Sequence, residues 1–284
     1  MSDIKPQEGI IGYFDILGYA KFMENNDVNI VAAKVVETLT NRKEQVPETI
    51  YNHFKSMGID DETLNMIKGH AKRINWLIFS DTILLTTNYS VDEGKKLEEK
   101  QFVKLMQWAI FICNSSFLMR HMFEFGLPMR GVITRGKFIM KESCYAGKPL
   151  IDAYNLTNIL DLSICVITKN AYEEIENLVQ FIKKIDVVLS RILQHAFEYY
   201  LVPKKNDNPP EKLFTLNFFC YLGVWEFYKF FKTNVKQMIL DAFSKHNKSI
   251  SEREQKKVTN TEKYFLFLID RSCEVIGIKS LTMQ

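Results

Sequence analysis

The sequence predicts a mixed α/β fold, of the α+β kind, followed by a helical C-terminal extension. Three observations predict it. Short apolar runs suited to strands alternate with longer helical patterns over most of the chain. Two of those runs each carry a single aspartate, Asp15 and Asp81. Beyond residue 222 the pattern is helical alone.

Taken in order, residues of about 9–17, including GYFDIL, read as a strand, and Ile30, Val31, Val35 and Leu39 mark a helix over about 27–45. A polar, weakly helical segment reaches about residue 70. INWLIFSDTILLTT, 74–87, reads as a strand; the helix after it, about 95–124, contains Trp108 and ends at Gly126-Leu-Pro128. MRGVITRGKFIM, 129–140, reads as two strands joined around Gly136, and GKPLIDAYNLTNIL opens a helix led by Gly147. ICVIT, 164–168, is a short strand running into the helix KNAYEEIENL. A long amphipathic helix to about 200, a Lys-Pro-Asn-rich hairpin loop at 203–212 and the strand LFTLNFF follow. The last helices flank the charged loop SKHNKSISEREQKK, so the division falls at 1–221 and 222–284.

At 284 residues, 46% hydrophobic, 13% aromatic and a net charge of +3, the chain has enough apolar content for a sizeable core and no charge excess that points to nucleic acid. The five cysteines form no CxxC pair and lie mostly in apolar runs, the usage of reduced thiols in a cytoplasmic protein. The polar start MSDIKPQEG lacks the apolar core of a signal peptide, and the late run LFTLNFFCYLGVWEFYKFF is interrupted by Glu226 and Lys229, so neither export nor a membrane span is expected. Its aromatic stretch WEFYKFF, 225–231, has helical spacing and suits a core or dimer face. The five histidines are scattered, and GxGxxG, GxxxxGK[ST], HExxH and GxSxG motifs are absent.

The chemistry rests on the two strand acids. An uncompensated carboxylate in an apolar strand costs several kcal/mol, so each needs a partner. Taken singly, each acid more commonly caps a turn or pairs with an arginine such as Arg130 or Arg135. Two acids in matching settings, the first followed by Gly18, favour a shared divalent cation, and an all-oxygen site suits Mg²⁺ or Mn²⁺. A βαβ–hairpin palm positions its acids this way.

In these motifs the chain resembles the class III nucleotide cyclases, whose catalytic domain is a ferredoxin-like palm. FDILGY, 14–19, is similar to the family's first metal-binding strand, FSDTILL to its Gly-Asp hairpin with Ser80 in place of glycine, and MRGVITRGKF to its Arg-x-Gly-Ile-x-x-Gly strand. YAGKPLIDAYNL resembles the glycine-led helix, and VITKNAYEEI the later Val-Ser-x-x-x-Tyr segment; the likeness spans about 9–220. The resemblance implies Asp15, Asp81 and the carbonyl of Ile16 as metal ligands. It implies a triphosphate cradle from the amides of Leu17, Gly18, Tyr19 and Ala20, and a phosphate lysine at Lys204 or Lys205. It further implies a nucleoside triphosphate substrate, a 3′,5′-cyclic mononucleotide product and a homodimer.

Departures from the family are specific. Where cyclases carry Asn-x-x-x-Arg on the glycine-led helix, this chain has Ile151 and Asn155, leaving Arg130 or Arg135 as substitute phosphate-binding arginines. Leu77 replaces the lysine and Cys144 the acid of adenylate cyclases, so the resemblance does not extend to adenine selectivity. The pyrimidine cyclases of bacterial anti-phage defence are a diverged branch of similar layout. A nucleotide-binding sensor that has lost catalysis is the main alternative, and a palm enzyme joining nucleotides into oligomers is a third.

Overall fold

A computed structural model describes residues 5–89, 94, 96–142, 144–182, 189, 193–205, 208–218 and 234–276. β1 (Gln7–Ile16) leads through α1 (Tyr19–Glu24), a π turn (Val28–Ala32), α2 (Ala33–Ser56) and α3 (Asp61–Ala71) to the hairpin β2 (Asn75–Phe79) and β3 (Thr82–Asn88). The helix α4 (Leu97–Phe125) returns the chain to β4 (Met129–Lys141), which carries the short β5 (Cys144–Ala146). Then come α5 (Lys148–Ile159), β6 (Cys165–Ile167), α6 (Lys169–Ile182), β7 (Phe197–Val202), β8 (Glu211–Leu216), α7 (Val235–Ser244) and α8 (Glu252–Ile276).

The strands form one sheet in the order β2-β3-β1-β4-β6-β8-β7, with β5 attached to β4. β1 lies between β3 and β4, antiparallel to both, and β4 pairs with β6 in parallel. The order β2-β3-β1-β4, with helices between β1 and β2 and between β3 and β4, is the ferredoxin-like palm arrangement. Sequence and structure agree on a mixed α/β architecture.

Strand alternation separates two layers. Ile10, Phe14, Ile16, Ile83, Leu85, Met129 and Ile133 face the main core, built with α2, α3, α4 and α6. α4 is buried all round, from Leu105 to Met122, as a helix wedged between a sheet and other helices must be. It is long and apolar enough for a membrane span by composition, yet 83% of its most apolar window is buried inside the protein. On the opposite face Val132, Val166 and Leu160 join Ile239, Phe243, Phe265 and Leu268 of α7 and α8. The β2–β3–β1 part of that face has only a small cluster around Ile11, Leu84 and Phe138.

The aromatic ring of Phe14, fully buried, explains the glycines around it. A Cβ on Gly131 would stand 2.4 Å from Phe14 Cδ1, and one on Gly12 2.7 Å from Phe14 Cε2. The ring therefore lies against backbone, and Asp15, the next residue, inherits its placement.

Several boundaries differ from the sequence reading. The run 74–87 is a hairpin, because Ser80 adopts φ 53 and Asp81 follows it in the turn. The run 129–140 is one strand that continues through Gly136 at φ 151. The second helix extends to Ser56 despite Pro47, since Val35, Leu39, Val46, Ile50 and Phe54 keep one apolar stripe. Residues 197–202, of which those to about 200 were expected to be helical, form β7 opposite β8, where the tilted rings of Tyr199 and Phe214 meet at 5.0 Å. The charged stretch ending at 257 is helical from Glu252, where Glu254 reaches back to the preceding Ser251: Glu254 Oε2 accepts from Ser251 N at 2.8 Å and from its hydroxyl at 2.7 Å. The boundary at 221/222 and the run 225–231 lie outside the described residues.

Replacing Gly131 with Ala should lower unfolding free energy by about 2 kcal/mol through overpacking against Phe14. Chemical denaturation would measure it; a loss below about 0.5 kcal/mol would mean the ring has room to move.

Candidate functional site

The candidate site lies where β1 ends. Asp15 shares the sheet face of Ile11 and Tyr13, opposite the helix-covered core, and its side chain is 16% exposed. Its cross-strand neighbours are Thr82 on β3 and Arg130 on β4. Asp81 is the second residue of the β2–β3 turn, and its carbonyl accepts from Ile16 N at 2.9 Å, which ties the turn to the end of β1. The Tyr13 hydroxyl meets Thr82 Oγ1 at 3.2 Å. Asp81 is thus a turn residue beside Asp15, where an apolar run had suggested mid-strand.

Arg130 is the protein partner of Asp15: Nε and Nη2 approach Oδ2 at 2.7 and 2.6 Å. Its Nη1 donates to Leu160 O at 2.9 Å and to Asn158 O at 3.4 Å, so the guanidinium is held from both sides. Burial raises the Asp15 pKa above the ordinary carboxylate value; Arg130 opposes this by charge and hydrogen bond, and Asp81 raises it again. The net shift is upward. Burial thus outweighs the compensation that Arg130 and Lys205 give, and a cation shared by Asp15 and Asp81 would fit the oxygen-only donor set. Among the described residues no group of three or more His, Cys, Asp or Glu gathers as a metal site, so further ligands would have to be carbonyls, water or a ligand's own oxygens.

The turn after β1 is tighter than a four-amide cradle. Leu17 N donates to Pro128 O at 2.8 Å and is committed to the fold. Gly18 adopts φ 76, a left-handed conformation that favours glycine, and precedes α1. Phe22 N closes the first helical bond on Gly18 O, leaving Tyr19 and Ala20 in the first turn of a helix of 6 residues.

Of the two candidate lysines, Lys204 pairs with Glu211. Lys205 points the other way, and its Nζ donates to Asn158 O at 2.9 Å, the carbonyl that Arg130 also approaches. Burial, with the charges of Arg130, Lys257 and Arg253, depresses the Lys205 pKa to about 8, while Asp15 opposes the shift. Arg135 is not brought to this site. It stands opposite Ile10 on β4, an odd number of residues from Arg130 and so on the other sheet face. There it binds Glu8 at 3.0 Å and Glu174 at 3.1 Å.

Beside Thr82, on the same face as Asp15, opens a cleft of about 440 Å³ lined by Tyr13, Leu77, Phe79, Leu84, Tyr145, Leu150, Ile151 and Tyr154. Leu77 and Ile151 are two of the positions where the sequence departs from the cyclase pattern, and both contribute apolar wall. Asn155 and Cys144 are exposed nearby on α5 and β5. The aromatic members of this cleft, scattered over four elements, carried no signal in the sequence. Neither did Arg253 and Lys257, which read as part of a charged loop.

No protein-family model and no curated protein matches the chain. Solved structures of similar shape include the adenylyl cyclase CyaB from P. aeruginosa, 11% identical over 75% of this chain and 94% of that one, with TM-score 0.37. A bacterial light-regulated adenylyl cyclase is 16% identical over 76% of this chain and 54% of that one, with TM-score 0.39. The guanylyl cyclase Cya2 is 12% identical over 75% of this chain and 93% of that one, with TM-score 0.35. At scores this low the likenesses decide nothing about the site, whose reading rests on its own residues.

Removing Arg130 should leave Asp15 uncompensated, and Arg130→Ala should destabilise the protein by about 3 kcal/mol in urea denaturation without metal. A change under about 1 kcal/mol would show that solvent already screens the pair. A second expectation concerns pH. The folded state holds the Asp15 proton more tightly than the unfolded chain does, so ionising Asp15 lowers stability as pH rises through and above the ordinary carboxylate range. A divalent cation held by Asp15 and Asp81 would relieve that loss, so Mn²⁺ should raise Tm more at pH 7.5 than at pH 4.5, and the difference should vanish in Asp15→Asn. Equal Tm shifts at both pH values would place the bound cation elsewhere.

Proposed function

We propose that the chain is a nucleotide cyclase that converts a nucleoside triphosphate into a 3′,5′-cyclic mononucleotide and pyrophosphate. The observation that carries this reading is the juxtaposition of Asp15 and Asp81 at one end of the sheet, on the face that opens into the apolar cleft. Asp15, Asp81 and the carbonyl of Ile16 would hold Mg²⁺ or Mn²⁺, which supplies charge stabilisation to the phosphates when bound.

The remaining steps fall to the chain. Asp15 or a water accepts the proton of the ribose 3′ hydroxyl as that oxygen bonds to the α-phosphorus. The bond from the α-phosphorus to the bridging oxygen breaks, and pyrophosphate departs with its electron pair. Arg130 Nε and Nη2 now hold Asp15; were a cation to engage Asp15 instead, those two donors would be available to a phosphate oxygen. The apolar cleft beside Thr82 suits a base held by stacking, with few polar groups to read its edge.

Phe79, Ile151 and Tyr154, exposed by 75%, 60% and 50%, rim the cleft. A second copy of the chain would cover them, so a homodimer with the nucleotide at its seam is part of the proposal. On the resemblance to the anti-phage branch, we assign the product to cytoplasmic signalling in bacterial defence.

A second reading, a nucleotide-binding regulator without turnover, is favoured by one observation. α5 presents Ile151 and Asn155 on its exposed side with no arginine, and Arg130 is already engaged by Asp15.

Incubation of the purified protein with ATP, GTP, CTP and UTP and Mn²⁺, resolved by mass spectrometry, should yield one cyclic mononucleotide. Asp15→Ala and Asp81→Ala should each lower its formation on the order of 100-fold or more. Metal-dependent binding of a triphosphate with no product from any of the four would favour the regulator. Linear oligonucleotides would replace both readings.

A further inference from the structure

The cations around Asp15 do not all come from the palm strands. α8 crosses the site from the C-terminal part of the chain and is pinned at two places. Near its start, Glu254 Oε2 accepts from Lys21 Nζ of α1 at 2.8 Å, and Lys21 also donates to Ser249 O at 3.3 Å. Burial alone would raise the Glu254 pKa, but Lys21 and Ser251 hold it down to about 2, so this anchor is charged at any ordinary pH.

One to two turns further on, the helix is fixed to the segment after α5. Asn260 Nδ2 donates to Asp161 O at 3.1 Å, Thr261 Oγ1 accepts from Ser163 N at 2.9 Å, and Lys256 lies 3.7 Å from the Asp161 carboxylate. Residues 253, 257, 260 and 261 follow helical spacing, so Lys257 sits on the inward face between the two anchors. There it lies close enough to Arg130 and Lys205 for their charges to act on one another. Arg130 and Lys205 are themselves brought together by the Asn158 carbonyl, to which both donate.

Charge makes this arrangement unusual. Of the carboxylates near α8 and Arg130, three are already engaged: Asp15 by Arg130, Asp161 by Lys256 and Asn260, Glu254 by Lys21 and Ser251. Among the described residues, neither Arg253 nor Lys257 forms an ion pair, and Lys205 has only a carbonyl. Lys257 is half-buried, and burial together with Arg130 and Arg253 lowers its pKa, with Glu254 and Asp161 opposing. Gathering cations from β4, the β7–β8 loop and α8 costs folding free energy by mutual repulsion, and a bound polyanion would return it.

We infer that Lys257 and Arg253 of α8, with Lys205, form a polyphosphate grip that holds the β- and γ-phosphates of a nucleoside triphosphate beside the Asp15–Asp81 pair. The inference rests on the proposed cyclase reading for the identity of the ligand, though not for the presence of an anion site. The grip supplies in the same chain the positive charge that α5 lacks, and it gives the C-terminal helix a part in the active site. Arg253 reaches outward from the first turn, where its planar fork suits a terminal phosphate; Lys257, deeper, acts as a point charge.

The test uses the full-length protein, titrated calorimetrically with inorganic tripolyphosphate without metal and with the four nucleoside triphosphates plus Mn²⁺. Lys257→Met combined with Arg253→Gln should weaken tripolyphosphate binding at least tenfold and flatten its salt dependence. Lys257→Arg should retain most of the affinity, and Lys263→Gln, on the exposed side of the same helix, should leave it unchanged. Thermal melts of each variant show that it is folded. If the double variant binds tripolyphosphate as the parent does, or if the parent does not bind it, the grip is overturned. If the grip behaves as expected but nucleotide binding needs neither Mn²⁺ nor Asp81, the grip stands and the cyclase reading falls. If nucleotide binding depends on Asp81 while the double variant is unaffected, the cyclase reading stands and the grip falls.

Discussion

The ion pair between Asp15 and Arg130 organises the rest of the site, because a carboxylate at the end of the central strand has to be compensated before that strand can be central. Antiparallel pairing places the two residues opposite one another, and the Leu160 carbonyl holds the far side of the guanidinium. Asp81 then enters through a two-residue turn whose backbone is bonded to Ile16. The result is a strand end where two acids lie beside an arginine already paired with one of them, and where burial holds the Asp15 pKa above its ordinary value. Such frustration is tolerated where a ligand resolves it.

The two sheet faces divide the labour. On one, α2, α3, α4 and α6 build a continuous core with the even-numbered residues of β1, and Phe14 packs so closely against Gly12 and Gly131 that the strand end has little freedom. On the other, Tyr13 lines a cleft walled by Leu150, Ile151 and Tyr154 of α5, with Asp15 two residues further along the same strand face. Rigid support behind and open space in front is the geometry a site needs when small displacements of catalytic groups are costly.

α7 and α8 share a hydrophobic cluster with β4 and β6, and through Glu254, Asn260 and Thr261 α8 touches both α1 and the turn after α5. Those two segments bracket Asp15. A helix so placed can sense or contribute to whatever binds there, and its cations give that contact a sign.

The alternating order of strands and helices, the core helix around Trp108, the two aspartates and the glycine after the first strand were legible in the sequence, because each depends on local periodicity or on a residue whose burial has a large cost. By periodicity the run through Ser80-Asp81 reads as one strand, although FSDTILL resembles a hairpin, and 197–200 reads as helix; each is settled by a partner, β1 for the hairpin and β8 for the strand. The helical start after Ser251 goes unread although its cue is local, Glu254 accepting from the Ser251 amide and hydroxyl. Of the proposed site residues, Asp15, Asp81, Arg130 and Lys205 meet, whereas Arg135 faces the opposite layer, Lys204 is tied to Glu211 and the Leu17 amide is spent on Pro128. The sequence alone therefore determined which groups would be costly to bury, since that is a property of each residue and its immediate neighbours. Which of them share a site, and that α8 brings Lys257 to it, only the tertiary structure decided, because residues more than a hundred positions apart meet solely through strand register and helix packing.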